Sequence, residues 1–103
     1  MRDVRLSKTF IDQLNTLLAQ GVVPFGARVV ADKRALVYDL IEHHLAHFPA
    51  SKQPDPKLGL TVYPINHTPF VVLYDYDEAE LRMHFILPAR ADRGDLDPFS
   101  AEW

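Results

Sequence analysis

The amino-acid sequence predicts an α+β fold, a two-layer sandwich that combines an N-terminal strand and a helical hairpin with a three-stranded antiparallel meander. Residues 8–48 carry apolar side chains at helical spacing with one short interruption, whereas residues 58–93 read as three strands in succession. Because the helices precede the meander instead of alternating with its strands, they should cover one face of an antiparallel sheet.

Length and composition favour one ordinary globular domain. The 103 residues suffice for a single domain, which we place at residues 1–103, and 48% of them are hydrophobic. The chain has no cysteine, so it can form no disulfide and no thiolate metal site, and we expect neither a metal nor a cofactor. The segment MRDVRLSKTF lacks the apolar core of a signal peptide, and no stretch approaches the roughly 20 apolar residues of a membrane span. We therefore expect a cytoplasmic protein without a membrane partner.

Charge is distributed unevenly along the chain. Residues 1–57 hold eight Lys/Arg against six Asp/Glu, and residues 58–103 hold three against eight. The predicted sheet therefore carries no broad basic field, which nonspecific nucleic-acid binding needs. We expect no sequence-specific DNA binding by the chain alone.

The first two elements are a strand and an amphipathic helix. Residues 2–6 place Val4 and Leu6 on one face of a short strand, and Ser7 is a good N-cap for the helix that follows. This helix should run from Lys8 to Gln20 and end at Gly21. Its apolar stripe consists of Phe10, Ile11, Leu14, Leu17 and Leu18.

A second helix should follow a short break at residues 22–26. No Gly or Pro occurs from Ala27 until Pro49, which should end the helix. The two helices should form a hairpin over the sheet, and a Pro-rich loop at residues 50–57 should lead to the meander. The apolar stripe of the second helix is Val30, Val37, Leu40, Ile41, His44, Leu45 and Phe48.

The meander follows from three local patterns. Leu60 and Val62 alternate with polar neighbours, residues 70–74 form an apolar run typical of a strand buried on both faces, and residues 77–80 connect the last two strands. In the last strand, apolar residues alternate with Arg82, His84 and Ile86, and they should form a single inward face. These apolar residues are Leu81, Met83, Phe85 and Leu87. The position of the first strand in the sheet stays open.

These elements resemble the RelE/ParE family of bacterial toxin–antitoxin toxins over nearly the whole chain. The segments VRLSKTFIDQLNTLL and FGARVVADKRALVYDLIEHHLAHFP look like the family's first strand and two helices, the second closing on FP. Leu58-Gly59 is similar to the LG that begins the family's sheet, and TPFVVLYDYDEAELRMHFIL is similar to its central hairpin. Residues 88–92 look like the family's closing H-x-R-R-D motif.

The sequence departs from this pattern where RNA chemistry would be expected. Pro88 stands where many members have His, and Ala91 replaces the second Arg, so that only Arg90 and Asp92 of the motif remain. Members that cut mRNA in the ribosome resemble one another in a set of Lys/Arg on the sheet and the end of the second helix, whereas Arg82 is the one Lys/Arg of the predicted meander through Leu87. A site without clustered cations lacks phosphate binding and charge stabilisation. The resemblance is therefore closer to the ParE branch.

Resemblance to the ParE branch implies a type II toxin that binds and inhibits an essential target, DNA gyrase first, without chemistry of its own. It also implies growth inhibition, a role in plasmid stabilisation and a cognate antitoxin. The antitoxin should lay an amphipathic segment along the helical hairpin or an open sheet edge. Two alternatives stay open: a ribosome-dependent mRNA endoribonuclease that uses Arg82, His84 and Arg90, and a degenerate member that only binds its antitoxin.

Three histidines lie close together near the end of the second helix. His43 and His47 have the i, i+4 spacing of a metal-binding pair. Two histidines do not complete a zinc site, and no cysteine can join them. We therefore expect His44 at the edge of the core and the other two on the surface.

Polar residues of the last two strands admit a catalytic and a structural interpretation. Arg82 and His84 share a face and could supply a phosphate ligand and an acid–base group, but solvated side chains on a sheet face are more common. Tyr74 and Tyr76 share a face and fit packing or partner contacts better than base stacking. Four carboxylates lie in and beside the turn between the last two strands, and we interpret them as solvated turn residues and not as a cation site. They are Asp75, Asp77, Glu78 and Glu80.

The tail after residue 93 should dock on a surface as a short helix or an extended arm, because it carries Phe99 and Trp103. Arg and Trp are over-represented among interface hot spots. Alternatively, the two arginines of this region pair with Asp92, Asp95 or Asp97. The predicted partner-binding residues are Tyr76, Arg90, Arg93, Phe99 and Trp103.

Overall fold

The computed structural model describes residues 2–103, without the side chains of Val22 and Val23. The predicted α+β order is confirmed: one strand, two helices, then three strands. The elements are β1 (Asp3–Leu6), α1 (Lys8–Phe25), α2 (Ala27–Leu40), β2 (Thr61–Pro64), β3 (Phe70–Tyr76) and β4 (Glu80–Pro88). A π-helical turn at Ile41–Leu45 continues α2, and a 3-10 turn occupies Pro49–Ser51.

The four strands form one sheet in the order β1-β4-β3-β2. The three later strands pair antiparallel in sequence order, as a meander should, and β1 pairs parallel with β4 through Val4 and Leu81. The first strand, whose position the sequence left open, is therefore an edge strand beside β4. Parallel pairing is possible because α1 and α2 separate the two strands along the chain.

Ser7 links the end of β1 to the start of α1. Its Oγ accepts a hydrogen bond of 2.8 Å from the Phe10 amide and donates one of 2.7 Å to the His84 carbonyl. The predicted N-cap is thus confirmed, and the same hydroxyl fixes the helix to the sheet. Three residues of the predicted stripe, Phe10, Leu14 and Leu18, are buried against the sheet.

The first helix is longer than predicted. It continues through Gly21 to Phe25, so the prediction that Gly21 ends it is wrong. A Cβ atom at Gly21 would lie 3.3 Å from Cγ2 of Val30, which means that this glycine permits a close approach of α1 to α2. The break comes instead at Gly26, whose φ of 84° and ψ of 161° are essentially restricted to glycine.

The second helical segment ends earlier than predicted. The Ala46 amide donates 2.9 Å to the Ile41 carbonyl, five residues back, which widens the last turn to π-helix, and helical structure stops at Leu45. The prediction that the helix continues to Pro49 is wrong, since Pro49 begins the 3-10 turn. Phe48 is consequently 63% exposed instead of completing the buried stripe.

Strand β3 is buried on both faces, as its apolar run predicts. The helix face of the sheet packs on α1 and α2, and the opposite side is called the outer face below. Residues of β3 on the helix face are Phe70, Val72 and Tyr74, and those on the outer face are Val71 and Leu73.

A β-bulge at His84 changes the face that β4 presents. Tyr74 pairs with Met83 and Leu73 pairs with Phe85, so His84 has no partner in the ladder. The predicted single inward face of β4 is therefore wrong. Leu81 and Met83 face the helices, Phe85 and Leu87 pack on the outer face, and Ile86 is buried on the helix face.

Residues 89–103, called the arm, contain no helix and pack on the outer face of the sheet. Leu96 and Ala101 contact a cluster formed by Leu60, Val71, Leu73 and Phe85. The tail is thus an extended segment docked on its own chain. No helix in the described part of the chain has both the length and the apolar character that a membrane span requires.

Candidate functional site

A polar cluster lies on the outer face, where β3 and β4 approach their connecting turn. Arg82 donates from Nε to Asp75 and from Nη1 to Asp77 and Glu80, each at 2.9 Å. Three carboxylates thus surround one guanidinium whose side chain is only 22% exposed. The charge of this guanidinium is compensated within its own chain through Nε and Nη1.

The contacts within this cluster shift the pKa values of Asp75, Asp77 and Arg82. Hydrogen bonds from Arg82 and then from the Glu80 and Ala79 amides lower the pKa of Asp77 to about 2. Burial raises the pKa of Asp75, but hydrogen bonds from Arg82 and His84 outweigh burial and place it below its ordinary value. Bonds to the carboxylates raise the pKa of Arg82 further. The cluster is a stable charged network at neutral pH.

His84 extends the cluster into the protein. Its Nε2 lies 2.9 Å from Oδ1 of Asp75, and its side chain is 13% exposed. Nδ1 is buried and has no hydrogen-bond partner within residues 2–103. We assign the tautomer protonated at Nε2, because it donates to Asp75 and leaves only a lone pair on the unpartnered nitrogen.

The arm covers His84. The Trp103 indole lies edge to face on the imidazole, with ring centroids 4.9 Å apart, and the Arg5 guanidinium is 4.9 Å from the indole centroid. The Glu102 carbonyl accepts from the Lys8 and Thr9 amides at 2.7 and 3.4 Å. These two donors belong to the first turn of α1, which has no carbonyl of its own to offer them.

The residues predicted for RNA cleavage do not converge. Arg82 and His84 meet through Asp75, but Arg90 follows β4 at the other end of the strand. The six steps of strand from Arg82 to Pro88 span about 20 Å. Catalysis by these three residues together would require a rearrangement of the sheet.

The predicted partner-binding residues are also dispersed. Tyr76 lies at the turn end of β3 under the Arg2 guanidinium, 5.4 Å from its ring centroid. Trp103 turns inward onto its own chain, whereas Phe99 is 92% exposed. Arg90 is exposed at the opposite end of β4. The structure therefore does not gather these residues into one surface.

The alternative pairing of the arm's arginines with its aspartates is not found. Neither Arg90 nor Arg93 forms an ion pair within the described residues, and Arg93 Nη1 instead donates to the Ala89 carbonyl at 3.4 Å. Asp92 and Asp97 accept hydrogen bonds from backbone amides of their own turns. These two carboxylates therefore stabilise their own turns and do not pair with Arg90 or Arg93.

A second feature, which the sequence analysis missed, is an apolar groove between the hairpin connection and the far ends of β3 and β4. Its volume is about 440 Å³, and Phe25 and Val29 on its rim are 64% and 40% exposed. The sequence could have indicated this groove through Phe25 and Val29, two large apolar residues on either side of the break between the helices. Other residues of the groove are Leu17, Leu18, Val30, Lys33, Phe70 and Arg90.

A shallower depression lies at the end of the π-helical turn. Its lining includes His44, His47 and Phe48, and its volume is about 540 Å³. His44 is half-buried, as predicted, while His43 and His47 are exposed. Across residues 2–103 no three His, Cys, Asp or Glu side chains are placed to hold a metal ion.

Comparison with known proteins identifies the fold. No protein-family model matches the sequence, and no curated protein matches it. A solved structure described as the chromosomal ParDE TA system from P. aeruginosa contains a chain that superposes with a TM-score of 0.74. The match covers 85% of this chain and 96% of that one, at 12% sequence identity. This chain has the RelE/ParE fold.

Proposed function

We propose that the protein is the toxin of a type II toxin–antitoxin pair and that it acts by binding and inhibiting an essential target. The RelE/ParE fold supports this class of function, and DNA gyrase is the first candidate target because the sequence resembles the ParE branch more closely. Such a toxin would act in the bacterial cytoplasm and would stabilise a plasmid that carried the pair.

The engagement of Arg82 is the observation that favours inhibition over RNA cleavage. A phosphate diester that approached this guanidinium would also meet Asp75, Asp77 and Glu80, all held at 2.9 Å from it, and their negative charges would repel it. Arg82 is the one Lys/Arg in strands β2, β3 and β4. RNA cleavage needs free positive charge at the developing phosphorane, and this face of the sheet has its cation neutralised.

The hairpin supplies a surface for an antitoxin. Its exposed large apolar residues include Ile11 on α1, Phe25 at the connection, and Val29 and Leu36 on α2. An amphipathic segment that covers them would remove this apolar surface from water. Strands β1 and β2 are the edge strands of the sheet, which are the positions where a strand of a partner can add.

Induced expression in a bacterial host tests the proposal. We expect growth arrest with altered supercoiling of a reporter plasmid and intact cellular mRNA, reversed by a co-expressed antitoxin. The variant Arg82→Gln, matched by Arg34→Gln on α2, separates the mechanisms. Inhibition by binding predicts that both variants arrest growth, whereas mRNA cuts that disappear only with Arg82→Gln would establish an endoribonuclease.

A further inference from the structure

Phe99 is presented to solvent on an ordered turn of the arm. It is 92% exposed, yet its amide donates to Asp97 Oδ1 at 2.9 Å, and the Ser100 amide and hydroxyl both donate to the Asp97 carbonyl. On either side Leu96 and Ala101 pack against the sheet. A side chain held in this way loses little backbone freedom when it binds.

The apolar groove at the hairpin connection could bury an aromatic side chain such as that of Phe99. Its lining is mainly aliphatic and aromatic, and Phe25 and Val29 leave its mouth open to solvent. Concave apolar sites with a few polar groups at the rim are where proteins bury an aromatic anchor.

The charges of the two surfaces are opposite. Among the described residues that line it, the groove includes Lys33 and Arg90 but no Asp or Glu, and Lys33 Nζ donates to an uncharged acceptor, the His67 carbonyl, at 2.9 Å. On the arm, Asp95 and Asp97 precede Phe99 by four and two residues. A segment with an aromatic anchor beside two carboxylates fits a groove with two cations at its rim.

We propose that Phe99 of one copy of this chain inserts into the groove of a second copy. Phe99 does not occupy its own groove, because the arm packs on the outer face of the sheet and the groove opens on the helix side. The contact joins two different surfaces, so each copy has one surface to donate and one to accept. It is also small, so the association should be weak and should strengthen as the salt concentration falls.

Sedimentation velocity of the purified chain across a range of concentrations tests this contact. We expect the weight-average mass to rise with concentration, and Phe99→Ala and Val29→Glu each to abolish the rise. Phe48→Ala is the matched control, because Phe48 is 63% exposed and belongs to neither surface. Circular dichroism should report an unchanged fold for all three variants, since each altered side chain is exposed.

Mixing the two single variants gives a sharper result. Phe99→Ala keeps an intact groove and Val29→Glu keeps an intact arm, so the mixture should form a one-to-one dimer and nothing larger. A native chain that stays monomeric at every concentration would overturn the proposal, and so would association that survives Phe99→Ala. Self-association is measured on the isolated chain, so its failure would leave toxicity and antitoxin binding unaffected.

Discussion

Trp103 and His84 meet edge to face with their ring centroids 4.9 Å apart, although 19 positions separate them along the chain. His84 in turn bonds Asp75, which bonds Arg82. The arm and the polar cluster are therefore one connected structure. Stability of the cluster and docking of the arm should respond to the same substitutions.

Thr9→Val should loosen the arm. The Thr9 hydroxyl accepts a hydrogen bond of 2.9 Å from the Glu102 amide, and valine keeps the shape while removing that acceptor. We expect a loss of about 0.5–1 kcal/mol in the free energy of unfolding, because the freed amide is solvated. Trp103 is the only tryptophan in the chain, so its fluorescence should shift to longer wavelength and acrylamide should quench it more strongly.

Thr16→Val on the exposed side of α1 serves as the control for this change. Thr16 makes no side-chain hydrogen bond within residues 2–103, so tryptophan emission should stay at its native wavelength. Equal quenching in both variants would mean that the Glu102 amide does not hold the arm.

Arg82→Gln should weaken the acid dependence of stability. The folded chain holds the pKa of Asp77 near 2, below its ordinary value of 3.8, and also lowers that of Asp75. The folded state thus binds fewer protons than the unfolded state between about pH 4 and pH 2. The stabilisation that these carboxylates provide is complete above this window and is lost as the pH falls through it.

Urea denaturation at several pH values between 2 and 5 measures this effect. In Arg82→Gln the two carboxylates lose their cation, so the free energy of unfolding should fall less steeply with acidification. At neutral pH the free energy of unfolding should also be lower in Arg82→Gln, because the charged hydrogen bonds of the cluster are broken. Arg34→Gln should keep the native slope, because within residues 2–103 the Arg34 side chain hydrogen-bonds Asn15 and no carboxylate.

Tyr74→Phe should destabilise the protein at neutral pH and should remove part of its loss of stability at alkaline pH. The buried hydroxyl donates to the Pro49 carbonyl at 2.6 Å. Its loss leaves that carbonyl without this donor, which should cost about 1–2 kcal/mol. Burial, followed by the neighbouring Tyr76 and Tyr63, raises the pKa of Tyr74 to about 12.

The raised pKa of Tyr74 also sets the sign of a pH dependence. The stability linked to its neutral phenol is complete below about pH 10 and is lost as the pH rises toward 12. Tyr74→Phe should lack this loss and should remove the step near pH 12 in a phenol absorbance titration. A step near pH 12 that persists in Tyr74→Phe would contradict the assignment.

Local sequence patterns predicted most of the helices and strands. The helical stripe from Phe10 to Leu18 and the apolar run of β3 predicted those elements because their periodicity follows directly from which faces are buried. The bulge at His84 left no such signal, since Phe85 and Ile86 are both apolar and either could have faced the helices. Gly21 resembled a helix end, but its role depends on Val30 of another helix, a contact that only tertiary structure creates.

The site was less predictable than the fold. Arg82 and His84 could be paired from their shared strand face, but their partner Asp75 and the cover provided by Trp103 come from a neighbouring strand and from the arm. Arg90 appeared close to them in sequence, yet a strand extends about 3.3 Å per residue and carried it to the opposite end of the sheet. Residue spacing alone does not report such separations.

A supercoiling assay with purified DNA gyrase tests the central proposal most directly. The chain is titrated against gyrase, and the Arg82→Gln variant is titrated alongside it. We predict that the native chain and the variant inhibit supercoiling at similar concentrations, because Arg82 serves the fold and not a reaction. Undiminished supercoiling at saturating protein, together with cleavage of mRNA on ribosomes that requires Arg82, would contradict the account.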